Sequence, residues 1–226
     1  GTTGGGTVVV TGGVLAGVGT IGGDLTNSGG AVSPGNSAGE LAVTGNLALN
    51  SGKLSVEVGG LGAGESDKLV VTGTADLGGE LEVSLIDGFV PEMFDEITIL
   101  TAGTVTDTFD STSGLTGLGG KAGLYFAVDY DYDANDVTLT ASAQTGDATL
   151  DAVVDITDLG ALAANWKATG AKWSQGDFTG EGSVDITDLG ALAANWQFGV
   201  PITAIPEPAT LVLLAIGGLA LIRRRR

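Results

Sequence analysis

The stretch GELAVTGNLALNSGKLSVEV at residues 39–58 decides the fold, because it recurs in altered form as DKLVVTGTADLGGELEVSL at residues 67–85. In both copies apolar residues occupy alternate positions, which is the period of a half-buried β-strand. Gly, Asn and Ser separate the apolar runs and indicate tight turns. The identical positions are offset by 28 residues, or by 27 at the last pair, and are Leu41/Leu69, Val43/Val71, Thr44/Thr72, Gly45/Gly73, Leu49/Leu77 and Gly52/Gly79.

Short strands at this spacing predict that residues 1–86 form a parallel β-solenoid, or β-helix, in which each coil stacks on the next. A β-sandwich is the alternative, because it has the same alternation of apolar residues. The stretch GTIGGDLTNSGGAVSPGNSAGELAVTGNLAL at residues 19–49 resembles the repeat-rich region of bacterial autotransporter-like surface proteins. That resemblance implies a surface or secreted protein.

Residues 87–142 are predicted to form a strand-rich cap that closes the end of the solenoid. Alternating apolar residues predict strands at Glu96–Leu100, Leu124–Asp129 and Asp136–Ala141. The acidic stretch DYDYDANDV at residues 129–137 lies between two of these strands. We interpret it as a hairpin turn rather than as a calcium loop, because Asn and Asp favour turns.

Composition excludes several classes of function. The chain has no Cys and no His, which excludes thiol nucleophiles, Ser–His–Asp triads, disulfides and ordinary zinc sites. It carries 27 acidic and 9 basic residues, for a net charge of −18, and four of the bases are the terminal Arg223–Arg226. Because this charge repels nucleic acid and attracts cations, we expect no nucleic-acid partner.

The stretch VDITDLGALAANW occurs at residues 154–166 and again at residues 184–196, and each copy overlaps a loop that begins with Asp. Counted from that Asp, all eight acids between residues 146 and 196 fall at positions 1, 5, 9 or 12. This is the spacing of the EF-hand calcium loop, in which position 7 contributes its backbone carbonyl. We therefore predict two calcium ions, bound in loop 1 by Asp147, Thr149, Asp151, Val153, Asp155 and Asp158, and in loop 2 by Asp177, Thr179, Glu181, Ser183, Asp185 and Asp188.

Each loop continues into a predicted helix, with Asp155 or Asp185 at the N-cap position. Position 6 of loop 1 is Ala152, where the left-handed backbone of such a loop favours Gly by about 1 kcal/mol. Loop 1 is therefore expected to be the weaker site. The helical period predicts that one apolar face of the first helix consists of Ile156, Leu159, Leu162, Ala163 and Trp166.

Residues 146–198 resemble a dockerin domain in their paired loop–helix repeats, their Asp at position 12 and their VDxxDL pattern. The resemblance implies a small all-α domain, an EF-hand pair, that binds two calcium ions and docks onto a cohesin module. In that family positions 10 and 11 help to select the cohesin. The resemblance thus assigns partner binding to Ile156, Thr157, Ile186 and Thr187.

The C-terminal stretch PITAIPEPATLVLLAIGGLALIRRRR at residues 201–226 combines an apolar run with a basic end. With its flanks the run is long enough to predict a C-terminal transmembrane helix whose arginines face the cytoplasm. Residues 203–226 resemble the bacterial PEP-CTERM sorting signal, which implies recognition by a membrane-bound exosortase and delivery to the envelope or extracellular matrix alongside exopolysaccharide. The residues that carry this resemblance are Pro206, Glu207, Pro208, Arg223, Arg224, Arg225 and Arg226.

These patterns predict a mainly β protein, followed by a small all-α calcium module and a C-terminal membrane helix. We expect a calcium-binding structural or adhesive protein of the bacterial cell envelope, surface or exterior, associated with an exopolysaccharide matrix. The alternative is a cohesin-docking component of a polysaccharide-degrading assembly, with any enzyme portion upstream of residue 1. We expect no enzymatic activity from this chain, because Glu80 and Glu82 share one strand face without an evident partner base.

Overall fold

The computed structural model describes residues 1–201, which contain sixteen β-strands, two α-helices and two single 3₁₀ turns. The predicted sorting tail and its transmembrane helix, at residues 203–226, lie outside the described residues. The strands are β1 (Val8–Val10), β2 (Val14–Gly17), β3 (Gly19–Ile21), β4 (Leu25–Asn27), β5 (Ala31–Pro34), β6 (Glu40–Val43), β7 (Leu47–Leu49), β8 (Lys53–Val58), β9 (Lys68–Val71), β10 (Thr74–Asp76), β11 (Glu80–Leu85), β12 (Glu96–Thr101), β13 (Thr104–Thr106), β14 (Ser111–Ser113), β15 (Tyr125–Asp131) and β16 (Asp136–Ser142). The helices are α1 (Ile156–Ala164) and α2 (Ile186–Ala194), and the 3₁₀ turns are Leu118–Gly120 and Trp173–Gln175.

Strands β1 to β14 are distributed over three sheets that the chain visits in a fixed rotation. The first sheet has the order β1-β4-β7-β10-β13, and the second has the order β2-β5-β8-β11-β14. The third has the order β3-β6-β9-β12-β16-β15. The prediction of a mainly β fold with parallel sheets is confirmed. Among the described strands, the antiparallel pairing typical of a β-sandwich is confined to β12, β15 and β16.

The sequence repeat corresponds to strands that are direct neighbours in these sheets. Leu41 of β6 pairs with Leu69 of β9, which reproduces the offset of 28 residues. Lys53 of β8 pairs with Glu80 of β11, so the offset there is 27. The stacking is close at Gly79, which has a φ of +61° and where a Cβ would lie 2.1 Å from the carbonyl oxygen of Gly52.

Alternate residues of the strands form the core of the β part, residues 1–142. In β8, Leu54, Val56 and Val58 are at most 1% exposed, while the residues between them are only half-buried. Each such burial stabilises the fold by about 1.5–3 kcal/mol. The burial therefore follows the same period of two residues that the sequence shows.

Asn27 is a buried polar residue that connects neighbouring turns of the β part. Its Nδ2 donates hydrogen bonds to the carbonyl oxygens of Gly30 and Lys53, at 3.1 Å each. Its Oδ1 accepts hydrogen bonds from the N–H groups of Gly29 and Gly30, at 3.3 and 3.0 Å. The amide is thus fully satisfied, which is what keeps a buried polar side chain from destabilising the fold.

The parallel sheets extend beyond the predicted boundary at residue 86. Strands β12, β13 and β14 continue the three sheets as far as Ser113, because each pairs in parallel with the strand three places earlier. The strands predicted within residues 87–142 are observed as β12, β15 and β16. The turn between β15 and β16 contains Asn135 at a φ of 60°, and Asp131 Oδ1 accepts two backbone hydrogen bonds there. The acidic stretch is therefore a hairpin turn, as predicted.

Asp67 is a fully buried carboxyl group in the β part. Its Oδ1 accepts a hydrogen bond from the N–H of Gly39 and its Oδ2 accepts one from the N–H of Glu57, at 2.9 Å each. Burial raises the pKa of Asp67 to about 6, because the loss of hydration disfavours the charged form more than the two donors favour it. At neutral pH this carboxylate is therefore ionised at a cost to stability.

We expect the contribution of Asp67 to the free energy of unfolding to decrease as the pH rises. Its pKa is higher in the folded state than in the unfolded state, so the folded state binds the extra proton between about pH 4 and about pH 6. Across that window the contribution falls by up to about 3 kcal/mol. Denaturant titrations at several pH values measure it, and Asp67→Asn is expected to remove this part of the pH dependence. The control Asp133→Asn, at an exposed acid, should retain it, and an Asp67→Asn variant with the wild-type pH dependence would contradict the assignment.

Candidate metal site

Each predicted loop runs directly into an α-helix that has an aspartate as its N-cap. The side chain of Asp155 accepts a hydrogen bond from the N–H of Thr157, and Asp185 accepts one from the N–H of Thr187, both at 2.7 Å. The predicted N-caps are confirmed. Within residues 1–201 a single 3₁₀ turn precedes loop 2 and no helix directly precedes loop 1, so each unit is a loop followed by a helix.

The first and last acids of loop 1 are buried and organise its backbone. Asp147 and Asp158 are both 0% exposed. Asp147 Oδ2 accepts a hydrogen bond from the N–H of Ala152 at 2.8 Å. Asp158 accepts hydrogen bonds from the N–H groups of Thr149 and Asp155, at 3.0 and 2.9 Å. Loop 1 therefore folds around the carboxylates at positions 1 and 12.

Loop 2 repeats this arrangement with closely similar distances. Asp177 Oδ2 accepts a hydrogen bond from the N–H of Gly182 at 2.8 Å. Asp188 accepts hydrogen bonds from the N–H groups of Phe178 and Asp185, at 2.8 and 2.9 Å. The repeated sequence thus produces a repeated loop structure.

Three carboxylates of loop 2 converge on one point. One oxygen atom from each of Glu181, Asp185 and Asp188 lies within 4.8 Å of the other two, and this is the one such group of three acids in residues 1–201. Carboxylates this close repel one another, and a divalent cation between them removes the repulsion. Because the donors are oxygen atoms, the group suits a hard cation such as calcium.

The equivalent acids of loop 1, at Asp151, Asp155 and Asp158, do not meet the same distance. Asp151 is one methylene shorter than Glu181, and its Oδ1 accepts a hydrogen bond from the N–H of Val153 at 2.9 Å. The predicted ligands are therefore brought together more closely in loop 2 than in loop 1.

The predicted ligands at positions 3 and 7 are Thr149, Thr179, Val153 and Ser183. The hydroxyl of Thr179 donates to Asp188 Oδ1 at 3.1 Å, and the hydroxyl of Ser183 donates to Glu181 Oε1 at 3.0 Å. In loop 1 the hydroxyl of Thr149 lies 3.3 Å from an oxygen of Asp147. These hydroxyls hold the acid side chains toward their own loops.

Local hydrogen bonds and burial shift the pKa values of the loop acids in opposite directions. Hydrogen bonds from the hydroxyl and the N–H of Thr157 lower the pKa of Asp155, and those from Thr187 lower the pKa of Asp185. Burial raises the pKa of Asp147 in spite of its backbone donors. The acids at position 9 are therefore held in the charged form that a cation requires.

The two loops differ at positions 4 and 6, where the backbone is left-handed in both. Loop 2 has Gly180 and Gly182 there, with φ values of 75° and 84°. Loop 1 has Leu150 and Ala152, with φ values of 60° and 71°. The left-handed backbone predicted at Ala152 is confirmed. Sequence reasoning missed Leu150, although a Leu opposite a Gly in otherwise similar loops was a signal.

The apolar residues of α1 do not form the single buried face that the helical period predicts. Leu162 is 2% exposed, but Ile156 is 68% exposed and Trp166 is 41% exposed. Trp173, from the segment between the helices, is buried instead and packs against Phe178. The predicted partner-binding residues Ile156, Thr157, Ile186 and Thr187 are all exposed.

A groove of about 420 Å³ lies where the β part meets the two loops. Its walls include Phe94 and Lys121 from the β part, Leu150 from loop 1, and Trp173 and Asp177 near loop 2. No sequence pattern indicates this junction, because its residues are separated by long stretches of chain.

Comparison with known families identifies the C-terminal tail. Residues 204–226 match the family model of the PEP-CTERM protein-sorting motif, and the predicted Pro-Glu-Pro and arginine residues lie within the match. This motif indicates a bacterial protein that is recognised by an exosortase-type sorting enzyme and sorted to the envelope or surface. No curated protein shows significant sequence similarity to the chain.

Membrane crossing was predicted only for the tail. Within residues 1–201, none of the helices has the length and apolar character needed to cross a bilayer. The predicted transmembrane segment lies beyond these residues.

Because position 6 has a left-handed backbone in both loops but Ala152 in one and Gly182 in the other, two exchanges there are expected to have opposite effects. Ala152→Gly is expected to raise the free energy of unfolding of the module by about 1 kcal/mol, because it removes a side chain from a left-handed backbone. Gly182→Ala is expected to lower it by a similar amount, and its Cβ would meet no atom within 4 Å, so the effect is purely conformational. Denaturant titration followed by the helical circular dichroism signal measures both. Two variants that shift stability in the same direction would contradict the account.

Proposed function

We propose that this protein is a calcium-binding structural or adhesive protein of the cell envelope or extracellular matrix, built on a parallel β-helix. The observation that carries the proposal is the convergence of Glu181, Asp185 and Asp188 in one of two loops with EF-hand spacing. The sorting motif supports the location, because it belongs to proteins that leave the cytoplasm.

The rotation of strands through three sheets supports the β-helix. Each strand pairs in parallel with the strand three places earlier, so the chain rises by one strand spacing, about 4.8 Å, with each circuit. An architecture of this kind exposes a broad and regular surface on every sheet, which suits adhesion or a structural role. Exopolysaccharide is the proposed partner, because the sorting signal resembles those of proteins delivered alongside it.

Calcium is the proposed cofactor of both loops. In loop 2 the acids at positions 1, 5, 9 and 12, together with Thr179 and the carbonyl of Ser183, would hold the ion, and loop 1 offers the corresponding atoms. Bound calcium would supply positive charge to four carboxylates that otherwise repel one another. An ion present at about 100 times its Kd would stabilise the folded module by about 2.7 kcal/mol per site.

A cohesin-docking role is the second candidate. The resemblance to dockerins assigns partner binding to positions 10 and 11, and exposure of Ile156 and Ile186 favours it, since isoleucines that are 68% and 67% exposed leave apolar surface free for a partner. Because the two loop–helix repeats are alike, they would offer a partner two similar surfaces.

Contacts on the second sheet favour a structural role over polysaccharide cleavage. Glu82 accepts hydrogen bonds from the hydroxyl of Ser55 at 2.8 Å and from Lys53 Nζ at 3.0 Å. These contacts lower the pKa of Glu82, Ser55 having the larger effect. A general acid for glycoside cleavage needs a raised pKa instead. The contacts are those of a surface network between neighbouring strands.

Calorimetric calcium titration of the full chain tests the cofactor. We expect two sites, one removed or strongly weakened by Glu181→Gln and the other by Asp151→Asn. Both side chains are exposed and make few contacts within their loops, so these exchanges remove ligand charge without removing the carboxylates at positions 1 and 12 that shape the backbone. Asp133→Asn is the matched control and should leave both sites intact. Absence of binding heat in the wild-type chain would refute the proposal.

Exchange of the motif Pro206-Glu207-Pro208 for alanines tests the sorting role. The wild-type protein is expected in the envelope or outside the cell, and the variant is expected to accumulate in the inner membrane with its tail attached, because the sorting enzyme no longer recognises it. Cell fractionation with immunoblotting and intact-mass measurement distinguish the two. A variant that is released and shortened like the wild type would show that these residues are not the signal.

A further inference from the structure

Backbone atoms of Gly123 in the β part lie directly against loop 1. The N–H of Gly123 donates a hydrogen bond to the carbonyl oxygen of Leu150 at 2.9 Å. A Cβ at residue 123 would lie 2.3 Å from Asp147 Oδ2 and 2.7 Å from the backbone nitrogen of Ala152. The first atom belongs to the predicted ligand at position 1. The second is the nitrogen whose N–H donates a hydrogen bond to that ligand. The wall of loop 1 on this side is therefore the β part itself.

Leu150 anchors loop 1 in the apolar core at this junction. Its φ of 60° is unfavourable for a residue with a side chain, and loop 2 has Gly180 at the same position. Leu150 is nevertheless 7% exposed and belongs to the same hydrophobic core as Leu118 and Leu124 of the β part. Burial of a leucine stabilises the fold enough to offset the strained backbone. The fold therefore retains a leucine at this strained position because its side chain is buried.

Phe94 makes the reciprocal contact, from the β part to loop 2. It too has a left-handed backbone, with a φ of 70°. Its ring meets that of Trp173 edge to face, with centroids 5.7 Å apart and planes at 74°. A Cβ at Gly180 would lie 3.0 Å from the Phe94 ring. Position 4 of loop 1 is thus a leucine that is buried in the core shared with the β part. Position 4 of loop 2 is a glycine, and the Phe94 ring of the β part lies against it.

Trp173 connects this junction to the first ligand of loop 1. Its Nε1–H donates a hydrogen bond to the carbonyl oxygen of Asp147 at 2.5 Å, and its ring is 7% exposed. Beside it, Lys172 Nζ lies 2.7 Å from an oxygen of Glu92 in the β part, at the exposed rim. The junction therefore contacts the residues that shape loop 1, and not only the outer surface of the module.

We infer that the β part completes calcium loop 1 by taking the place of the entering helix of an EF-hand, so that ion binding in loop 1 is coupled to docking of the module on the β part. Gly123 and Leu150 are the positioning residues of this coupling. By linkage, the factor by which docking on the β part raises the calcium affinity of loop 1 equals the factor by which calcium raises the affinity for docking. The inference rests on the proposed calcium binding and adds a regulated junction to it.

Calcium titration of the full chain by calorimetry tests the coupling with Gly123→Ala and Leu150→Gly. Each is expected to weaken one of the two sites by about tenfold, the size of a typical coupling between sites, and to leave the site removed by Glu181→Gln unchanged. Gly12→Ala is the matched control, because a Cβ there meets no atom within 4 Å and its backbone is unstrained. A merely structural loss of the module would weaken both sites together.

The thermal unfolding midpoint of the strand signal provides a second readout. All three tryptophans lie in the module, so far-ultraviolet circular dichroism near the strand band reports the β part separately from tryptophan fluorescence. Calcium is expected to raise the strand midpoint in the wild type and in Gly12→Ala, but to raise it less in Gly123→Ala and Leu150→Gly. If Gly123→Ala loses its helical circular dichroism signal, the result for Leu150→Gly decides the test. That exchange adds no atoms and relieves the strained backbone at residue 150.

The outcomes separate this inference from the proposed function. Two wild-type sites, with both unaffected by Gly123→Ala and Leu150→Gly, would overturn the coupling and leave calcium binding in place. No binding heat in the wild type would overturn calcium binding and the coupling with it. Selective weakening of loop 1 supports both.

Discussion

The pairing of each parallel strand with the strand three places earlier is the constraint on which the rest of the structure depends. It fixes which side chains face inward and which turns stack on one another. It also requires glycine where backbones approach closely, as at Gly79 over Gly52. The rotation ends when β15 and β16 pair antiparallel with the third sheet. Because β16 runs antiparallel to β15, its last residue, Ser142, pairs with Tyr125, which is two residues from Gly123 in the sequence. From there the chain enters the first acidic loop.

The acidic loops are subject to a second constraint, because they bury carboxylates and the loss of hydration makes this unfavourable. Asp147, Asp158 and Asp188 are fully buried, and backbone N–H groups surround them. Such donors offset only part of the cost of removing charge from water. A divalent cation bound as proposed would offset the remainder, which would account for the combination of local hydrogen bonding with an excess of negative charge. Burial of Leu150 compensates for the strained backbone at the edge of loop 1.

The order of the parts along the chain suits a protein that is exported and then displayed. The helical module lies between the β part and the sorting motif at residues 204–226. The segment that leads to the motif is tied to loop 1, because Val154 N–H donates to the carbonyl of Phe198 at 3.0 Å and Gln197 N–H donates to the carbonyl of Val154 at 2.9 Å. Calcium bound in loop 1 as proposed would therefore stabilise the part of the described chain nearest to the sorting motif.

The sequence by itself determined the strand period, the register of residues 39–58 on residues 67–85, the spacing of the acids, both N-caps and the sorting motif. These features depend on residues that are close in sequence or on a repeat that is visible in it. Only the tertiary structure decided that the parallel sheets continue to Ser113, that Trp173 rather than Trp166 fills the module core, and that loop 2 alone brings three acids together. It also decided that Leu150 contacts the β part, because its carbonyl accepts a hydrogen bond from Gly123, which reaches loop 1 only through the path of the β part. Patterns of neighbouring residues reflect interactions between residues that are close in sequence. Contacts between distant segments depend instead on which surfaces the completed fold brings together.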